Sequence, residues 1–388
     1  MKKLNVLGTA VVTAACLLAA GVGPATAATR AAGSSAATTA QSPADILRAG
    51  AQQGVADGYP GVIGMVRKGD ATQYVHAGVG DLVNKVPADP KATYRIGSNT
   101  KAFVSTVLLQ LEGEGKLSLD DTVDRWLPGA VHANGYDGSR ITVRQLLNHT
   151  SGLPDYFKSV RISAPYFLNA NPREVFPPQN LVDVALGMRA PTTRPGEKYD
   201  YSNTNYVLAG MVVKAVTGEE PATEIKHRII GPLGLSDTTF PTSDPALHGN
   251  HLNGYVIRTI FTNDGTASNV QVFGSAGAMV STLDDLATFS RALMAGKLLK
   301  PAQMTELKTT VPVTADVGYG LGITRTELPC GKWAWGHNGA VLGYYNNWLS
   351  SEDGTEQVLH ANNEYHLLLG TPGQTHTGKA LTDAFCAL

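Results

Sequence analysis

The sequence predicts an α+β fold, in which helices flank an antiparallel β-sheet and an all-helical lobe is inserted into the chain. Strand-like runs lie near both ends of the chain, at residues 61–67, 72–79, 319–324, 333–336, 344–349 and 357–361. Between about Leu119 and Asn263 the pattern is helical, with long loops. Because both ends supply strands, one sheet can form around the insertion. A cleft between the two lobes is the default place for a binding site.

The same patterns divide the chain into parts. Residues 44–118 and 264–388 make the predicted sheet lobe, and residues 119–263 make the predicted helical lobe. Residues 28–43 are mostly Ala, Ser and Thr, which cannot form a core, so we expect a flexible leader there. Residues 1–27 are assigned to a signal peptide.

Helices of the predicted sheet lobe have clear boundaries. One begins at Pro43, where proline in the first turn costs no hydrogen bond. A second begins at Ser98 and ends before a glycine pair, and its apolar face consists of Phe103, Val107, Leu108 and Leu111. Further helices are predicted near residues 282–293 and 378–385.

The N-terminus is typical of an export signal. Lys2 and Lys3 supply the positive start, an apolar stretch runs from about Val6 to Val22, and Ala25-Thr26-Ala27 offers small residues for cleavage. A membrane anchor is the alternative, but the stretch is short and rich in Ala and Gly. Cys16 raises a lipoprotein alternative, although the usual preceding leucine is absent. We therefore expect a secreted, extracellular protein that leaves the membrane after cleavage.

Charge and composition argue against several classes of function. Among 388 residues, Lys and Arg total 31 and Asp and Glu total 32, and no basic run marks a nucleic-acid binder. His132, His149 and His251 do not have the spacing of metal ligands, so we expect no metal and no cofactor. The chain also lacks Gly-x-Ser-x-Gly, which argues against an α/β-hydrolase.

Cysteine usage predicts one disulfide. Removal of Cys16 with the signal leaves Cys330 and Cys386, an even number for an oxidising compartment. Their bond would tie the last segment of the chain back to a strand and contribute about 4 kcal/mol at most. Two buried free thiols are the alternative.

The run Ser98-Asn99-Thr100-Lys101 is the only Ser-x-x-Lys in the chain. At the start of a helix, positions i and i+3 share a face, so the serine hydroxyl and the lysine amine can meet. A serine needs a neighbouring base to attack a carbonyl, and burial can lower a lysine pKa enough to supply one. Free backbone N–H groups there could bind an oxyanion. The alternative is an N-cap serine followed by a surface lysine.

The run Tyr201-Ser202-Asn203 follows in a loop-like region. Its tyrosine can relay protons between the serine, the lysine and a leaving amine, and its asparagine can bind a substrate amide. Tyr344-Tyr345-Asn346 and Tyr345-Asn346-Asn347 have the same spacing, but they lie in a predicted strand, where aromatic residues usually serve packing.

The run His337-Asn338-Gly339 lies in another predicted strand. Glycine in a strand lets a second backbone approach closely, and a substrate peptide could pair along that edge. The histidine would place a polar group opposite Tyr201. His376-Thr377-Gly378 and His76-Ala77-Gly78 share the spacing, but the first looks like a helix cap and the second ends a hairpin.

These three motifs, in this order, resemble the family of D-alanyl-D-alanine carboxypeptidases, class C β-lactamases and D-stereospecific amidohydrolases. The likeness extends from about Ala44 to the end of the chain and includes residues 146–153, 199–206, 275–278 and 319–322. It implies a β-lactamase/transpeptidase-like fold and a reaction through an acyl-enzyme. It also adds β-lactams to the expected ligands.

The resemblance implies a role for each site residue. Ser98 would attack the substrate, Lys101 and Tyr201 would move protons, and His337 would support the tyrosine. Asn203 would position the substrate. The remaining substrate-binding residues would be Gly339 and Ala340, with the backbone N–H groups of residues 98 and 340 forming the oxyanion hole.

Two departures from the carboxypeptidase pattern affect the expected substrate. Those relatives hold the free carboxylate of their substrate with an arginine where this chain has Thr324 and a threonine where it has Ala340. Arg325 is adjacent, but neighbours in a strand face opposite sides, unless a bulge turns it round. Loss of a charge-assisted pair costs about 1.5–3 kcal/mol. We therefore expect amides, esters or internal bonds to be preferred.

The leading hypothesis is a secreted serine peptidase or amidohydrolase that acts on D-amino-acid-containing peptides, amides or esters. The first alternative is a D-Ala-D-Ala carboxypeptidase of cell-wall peptides. A second is an esterase or β-lactamase, which would need rapid deacylation by water. A non-catalytic penicillin-binding or cell-wall-binding protein is the alternative from a different class.

Overall fold

The computed structural model describes residues 41–258, 261–365 and 371–388. The predicted signal peptide and the leader up to residue 40 lie outside the described residues. The helices are α1 (Pro43–Ala56), α2 (Thr100–Gly113), α3 (Val123–Trp126), α4 (Val143–Leu147), α5 (Val160–Phe167), α6 (Pro178–Met188), α7 (Asn203–Thr217), α8 (Pro221–Ile225), α9 (Gly231–Leu233), α10 (Leu283–Met294), α11 (Pro301–Lys308) and α12 (Pro372–Cys386).

The strands are β1 (Gly61–Lys68), β2 (Ala71–Asp81), β3 (Val86–Pro87), β4 (Tyr94–Arg95), β5 (Tyr255–Arg258), β6 (Phe261–Asp264), β7 (Val280–Ser281), β8 (Val311–Pro312), β9 (Val317–Tyr319), β10 (Thr324–Glu327), β11 (Trp333–Val341), β12 (Tyr344–Ser350) and β13 (Glu356–Asn362). Short 3₁₀ turns at Gly97–Asn99 and Gly274–Ala276 contribute to the site described below.

One antiparallel sheet joins the two ends of the chain, as the sequence predicts. In the described part of the chain it has nine strands in the order β3-β2-β1-β13-β12-β11-β10-β9-β8. The junction lies between β1 and β13, where Met65 pairs with Leu359. The α+β fold class with an antiparallel sheet is therefore confirmed.

Helices cover both faces of this sheet. On one face α1 packs against α12, and a Cβ added at Gly50 would lie 2.1 Å from the Cβ of Ala380, so the two helices meet at a glycine. Phe385 is buried there, and the neighbouring Cys386 is joined to Cys330 by a disulfide. On the other face α2 and α10 enclose the main core, where the rings of Phe103 and Phe289 stack.

The middle of the chain contains α3 to α9, which pack beside α2 through a buried apolar interior of Leu146, Leu147, Val182, Leu208 and Val212. It also contains a hairpin of β5 and β6, which pair from Tyr255 with Asp264. The sequence predicts only helices and loops up to residue 263, so this hairpin is a correction. In the described residues, no helix is long and apolar enough to cross a membrane.

The strand predicted at residues 319–324 is wrong, because the chain turns within it. β9 ends at Tyr319 and β10 begins at Thr324, and these two residues pair with each other. Gly322 has a φ of +82°, a conformation that glycine adopts readily and that breaks a strand. The turn separates two neighbouring strands of the sheet.

Candidate active site

Ser98 lies on a 3₁₀ turn that leads directly into α2. The turn begins at Gly97, whose φ is +53°, and a Cβ there would lie 2.8 Å from the backbone nitrogen of Ala340. Thr100 secures the turn, because its hydroxyl donates to the carbonyl of Gly97 (2.7 Å) and accepts from the backbone N–H of Met279 (3.1 Å). The serine is therefore fixed at the start of a helix and beside β11.

Lys101 is fully buried behind the serine. Its Nζ lies 3.0 Å from Ser98 Oγ, 2.9 Å from Asn203 Oδ1 and 2.7 Å from the carbonyl oxygen of Ala276. Burial lowers the pKa of Lys101 to about 7, although the negative charge of Asp155 opposes the shift. The oxygens of Asn203 and Ala276 can only accept hydrogen bonds, so each accepts one N–H group of the amine. The third position, a proton or a lone pair, therefore points at the serine.

Asn203 begins α7, and its amide connects the lysine to a buried acid. Its Nδ2 donates to Asp155 Oδ2 (3.0 Å), which directs its oxygen towards Lys101. The carboxylate of Asp155 also accepts from the backbone N–H of Phe157, while burial raises its pKa. The amide predicted to bind substrate thus has a defined contact with the lysine.

Tyr201 approaches Ser98 from another side. Its hydroxyl donates to Ser98 Oγ over 2.8 Å, and its ring centroid lies 4.9 Å from Lys101 Nζ. Burial raises the pKa of Tyr201 well above its usual range, so the hydroxyl keeps its proton at neutral pH. The serine oxygen therefore contacts both groups that the sequence predicts to move protons.

His337 lies near this group but has other partners than predicted. Its Nε2 is 3.1 Å from the hydroxyl of Tyr319, and its Nδ1 is 2.6 Å from the carbonyl oxygen of Asn338. Burial, helped by the charge of Lys101, lowers the pKa of His337 to about 3, so the ring is neutral. Its nitrogens contact Tyr319 and the backbone in place of the predicted Tyr201. Tyr319 reaches it across β10, because Tyr319 on β9 pairs with Thr324, which in turn pairs with Gly336 on β11.

Gly339 allows β11 to approach the turn that carries the serine. A Cβ at this position would lie only 1.8 Å from the carbonyl oxygen of Ile96. β10 pairs with β11 only from Trp333 to Gly336. Among the described residues, no strand pairs with positions 337–341 on that edge. A substrate backbone could therefore pair there, next to Ala340.

Asn346 holds this arrangement together. Its Nδ2 donates to the carbonyl oxygens of Gly339 (3.3 Å) and Arg95 (3.2 Å), and its Oδ1 accepts from Asn99 Nδ2 (2.5 Å). The Nε1 of Trp348 donates to the same Asn99 side chain. The Tyr-x-Asn sequences in β12 thus place an asparagine behind the serine turn. The other His-x-Gly sequences lie elsewhere, in β2 and in α12.

Arg325 pairs with Trp335 across β10 and β11, and its guanidinium contacts Trp333. Its guanidinium carbon lies 4.1 Å from the ring centroid of Trp333, and the hydroxyl of Thr324 donates to the carbonyl of Gly336 (2.8 Å). Asp155 and Tyr319 are site residues to which the sequence assigns no role, although residues 319–322 take part in the family likeness. In the described ranges, no group of three or more His, Cys, Asp or Glu side chains could hold a metal.

Comparisons with known proteins agree with this geometry. Residues 46–366 match the beta-lactamase family. A D-stereospecific amidohydrolase from Streptomyces sp. is 37% identical with a TM-score of 0.80, covering 86% of this chain and 97% of that chain. The D-amino acid amidase from Ochrobactrum anthropi SV3, complexed with L-phenylalanine amide, is 26% identical with a TM-score of 0.76, covering 89% and 98%.

A curated relative, penicillin-binding protein 4* of Bacillus subtilis (strain 168), is 26% identical over 343 residues, which are 81% of this chain and 73% of that protein. The family match covers most of the chain, and the solved relatives share its fold over nearly their whole length. The chain therefore belongs to the beta-lactamase family and is a serine hydrolase.

Proposed function

We propose that the protein hydrolyses D-amino-acid amides, and related esters and peptides, through an acyl-enzyme on Ser98. The observation that carries this proposal is the position of Ser98 Oγ, 3.0 Å from Lys101 Nζ and 2.8 Å from the hydroxyl of Tyr201. We also propose that it acts outside the cell. The charged and apolar pattern of residues 1–27 supports export.

In the acylation step, neutral Lys101 takes the proton of Ser98 as Oγ bonds to the amide carbon. The backbone N–H groups of residues 98 and 340 stabilise the oxyanion. When the C–N bond breaks, the leaving amine receives a proton through Tyr201, which Lys101 resupplies. Water then attacks the ester, its proton returns through the same groups, and the acid leaves. The sum is amide plus water to acid plus amine.

Three observations favour an amide or ester over a peptide with a free carboxylate. Arg325 is occupied with Trp333, and position 340 is an alanine without a hydroxyl. The related enzymes are described as a D-stereospecific amidohydrolase and a D-amino acid amidase. A substrate without a free carboxylate needs no cation at this place, so an uncharged amide suits the site.

A cluster of aromatic residues packs behind the segments that carry the site. The ring centroids of Phe157, Tyr166 and Phe273 lie 4.8–5.5 Å apart. Phe157 is two residues from Asp155, Phe273 precedes the turn that supplies the carbonyl of residue 276 to the lysine, and Tyr166 accepts from the backbone N–H of Leu342 just after β11. Tyr166 and Phe273 are buried in the core. The choice of D-phenylalanine amide as a substrate is supported by the related D-amino acid amidase, which was solved with L-phenylalanine amide and with D-phenylalanine.

The substrate proposal predicts a clear preference. Purified protein should hydrolyse D-phenylalanine amide with kcat/KM about 10–100-fold above that for a peptide ending in D-Ala-D-Ala, because 1.5–3 kcal/mol of carboxylate binding is missing. L-phenylalanine amide tests the preference for the D enantiomer. Faster release of terminal D-Ala would overturn the proposal and support a carboxypeptidase.

The pKa of Lys101 predicts the pH dependence. Below about pH 7 the amine is protonated and cannot accept the serine proton, so kcat/KM should fall as the pH falls and level off above it. The negative charge of Asp155 raises this pKa, so Asp155→Asn should move the inflection to lower pH by roughly one unit. Asp70→Asn, which removes the charge of an exposed side chain, is the matched control and should leave the inflection in place. An inflection that Asp155→Asn leaves in place would contradict the assignment.

A further inference from the structure

We infer that His149 is a positioning residue that holds Tyr201 against Ser98. The inference rests on the proposed function and extends it to a residue outside the three motifs. His149 is fully buried and follows α4. It belongs to residues 146–153, which take part in the family likeness, but the sequence assigns this histidine no role.

The contacts of His149 flank the tyrosine on both sides. Its carbonyl oxygen accepts from the backbone N–H of Asp200 (2.8 Å), and its Nδ1 accepts from the backbone N–H of Ser202 (3.2 Å). Its ring lies against the ring of Tyr201, with centroids 4.2 Å apart and planes tilted by 34°. Any displacement of the Tyr201 backbone or ring away from Ser98 would therefore break a contact with His149.

The backbone of His149 adopts an uncommon conformation to make these contacts. Its φ is +59°, in the left-handed region that a residue with a side chain occupies at a cost of roughly 1–2 kcal/mol. Such a conformation persists where surrounding contacts determine it, often at functional sites. Here it lets the carbonyl and the ring of one residue reach the backbone on both sides of Tyr201.

Asn205 determines which ring nitrogen carries the proton. Its Nδ2 lies 3.1 Å from His149 Nδ1, and its Oδ1 accepts from Ser151 Oγ (2.6 Å), which fixes the amide orientation. Because two N–H groups point at Nδ1, that nitrogen is an acceptor and the proton is on Nε2. Burial lowers the pKa of His149 well below its usual range. The ring is therefore neutral and serves to position the tyrosine.

The other ring nitrogen supports a specific function for this histidine. Nε2 is buried and has no hydrogen-bond partner among the described residues. The imidazole ring instead packs among aromatic rings, and its centroid lies 4.9 Å from that of Tyr319 and 5.3 Å from that of Tyr206. A buried N–H without a partner costs about 1–3 kcal/mol. An apolar residue would avoid that cost, but it would lose the acceptor that holds the backbone after Tyr201.

Two substitutions distinguish the contribution of the Nδ1 hydrogen-bond acceptor from that of the aromatic ring. His149→Asn keeps an acceptor near the position of Nδ1 and tolerates a positive φ, whereas His149→Phe keeps a ring and removes the acceptor. With D-phenylalanine amide, we expect His149→Phe to lower kcat about 100-fold with little change in KM, because a small displacement of a catalytic group has an effect of that size. His149→Asn should recover about tenfold of that loss. Neither change should move the pH inflection.

Asn205→Asp provides a test that leaves the histidine in place. A carboxylate at this position would draw the proton to Nδ1, which could then no longer accept from the N–H of Ser202. We expect kcat to fall about as much as in His149→Phe. The thermal midpoint of the variant checks that it is folded. Asn205→Asp therefore tests the positioning role even if His149→Phe does not fold.

Unchanged kcat in His149→Phe or, if that variant does not fold, in Asn205→Asp would overturn the positioning role. So would a shifted pH inflection in either His149 variant, which would mean that the histidine titrates. Failure of the proposed function itself would be seen separately, as turnover that persists in Ser98→Ala.

Discussion

Replacement of Ser98 by alanine should lower kcat/KM for D-phenylalanine amide by about 10⁴-fold or more, which is the scale seen when a catalytic serine is removed. The physical reason is that no other hydroxyl in the described site contacts both Lys101 and Tyr201 as this one does. The measurement is steady-state turnover, accompanied by mass spectrometry of the protein after brief exposure to a D-phenylalanine ester. The unaltered protein should gain the mass of one acyl group, and the variant should gain none.

Ser139→Ala is the matched control, because Ser139 is exposed and its hydroxyl contacts only the neighbouring Asp137 in the described residues. Its turnover should equal that of the unaltered protein. Acylation at another residue would show that the assignment of Ser98 is wrong. If the unaltered protein is acylated but does not turn over, the non-catalytic penicillin-binding alternative gains support.

Gly339→Ala should impair both activity and stability. The added Cβ would lie 1.8 Å from the carbonyl oxygen of Ile96 and 3.0 Å from Asn99 Nδ2, and the first of these is a backbone atom that cannot move alone. Either β11 or the turn carrying Ser98 must shift. We expect kcat to fall about 100-fold, because a displacement near 1 Å can have that effect. The free energy of unfolding should fall by about 1–3 kcal/mol, as for other overpacked sites.

Gly378→Ala is the matched control for this substitution. Gly378 lies inside α12, and a Cβ there would have no neighbour within 4 Å. Alanine favours a helix over glycine by about 1 kcal/mol, so this variant should be as stable as the unaltered protein or slightly more so. Urea unfolding and turnover would be measured for both variants. Equal behaviour of the two would show that the close approach of β11 to the serine turn is not required.

The sequence by itself determined the fold class. Alternating strands occur at both ends of the chain around a helical middle, and this distribution leaves one sheet shared by the termini as the simplest solution. The pairing of Ser98 with Lys101 is also a local property, since residues three apart at a helix start face the same way. Periodicity was less informative at residues 319–324, where a glycine with positive φ divides one predicted strand into two.

Only the tertiary structure decided which distant residues meet. Asp155 and Asn203 are 48 residues apart, and Asn99 and Asn346 are 247 apart, yet each pair makes a buried hydrogen bond. No local pattern encodes such contacts, because they arise where α7 packs against α2 and where β11 and β12 meet the turn that carries Ser98.

The chemical state of the site likewise depends on the tertiary structure. Burial lowers the pKa of Lys101 to about 7 and keeps His149 neutral, and neither effect can be read from neighbouring residues in the chain. The partner of His337 is Tyr319 for the same reason, since the sheet brings that hydroxyl from β9 past the intervening β10. The sequence thus determined which reactive groups are present, whereas desolvation and long-range packing decided their protonation and their partners.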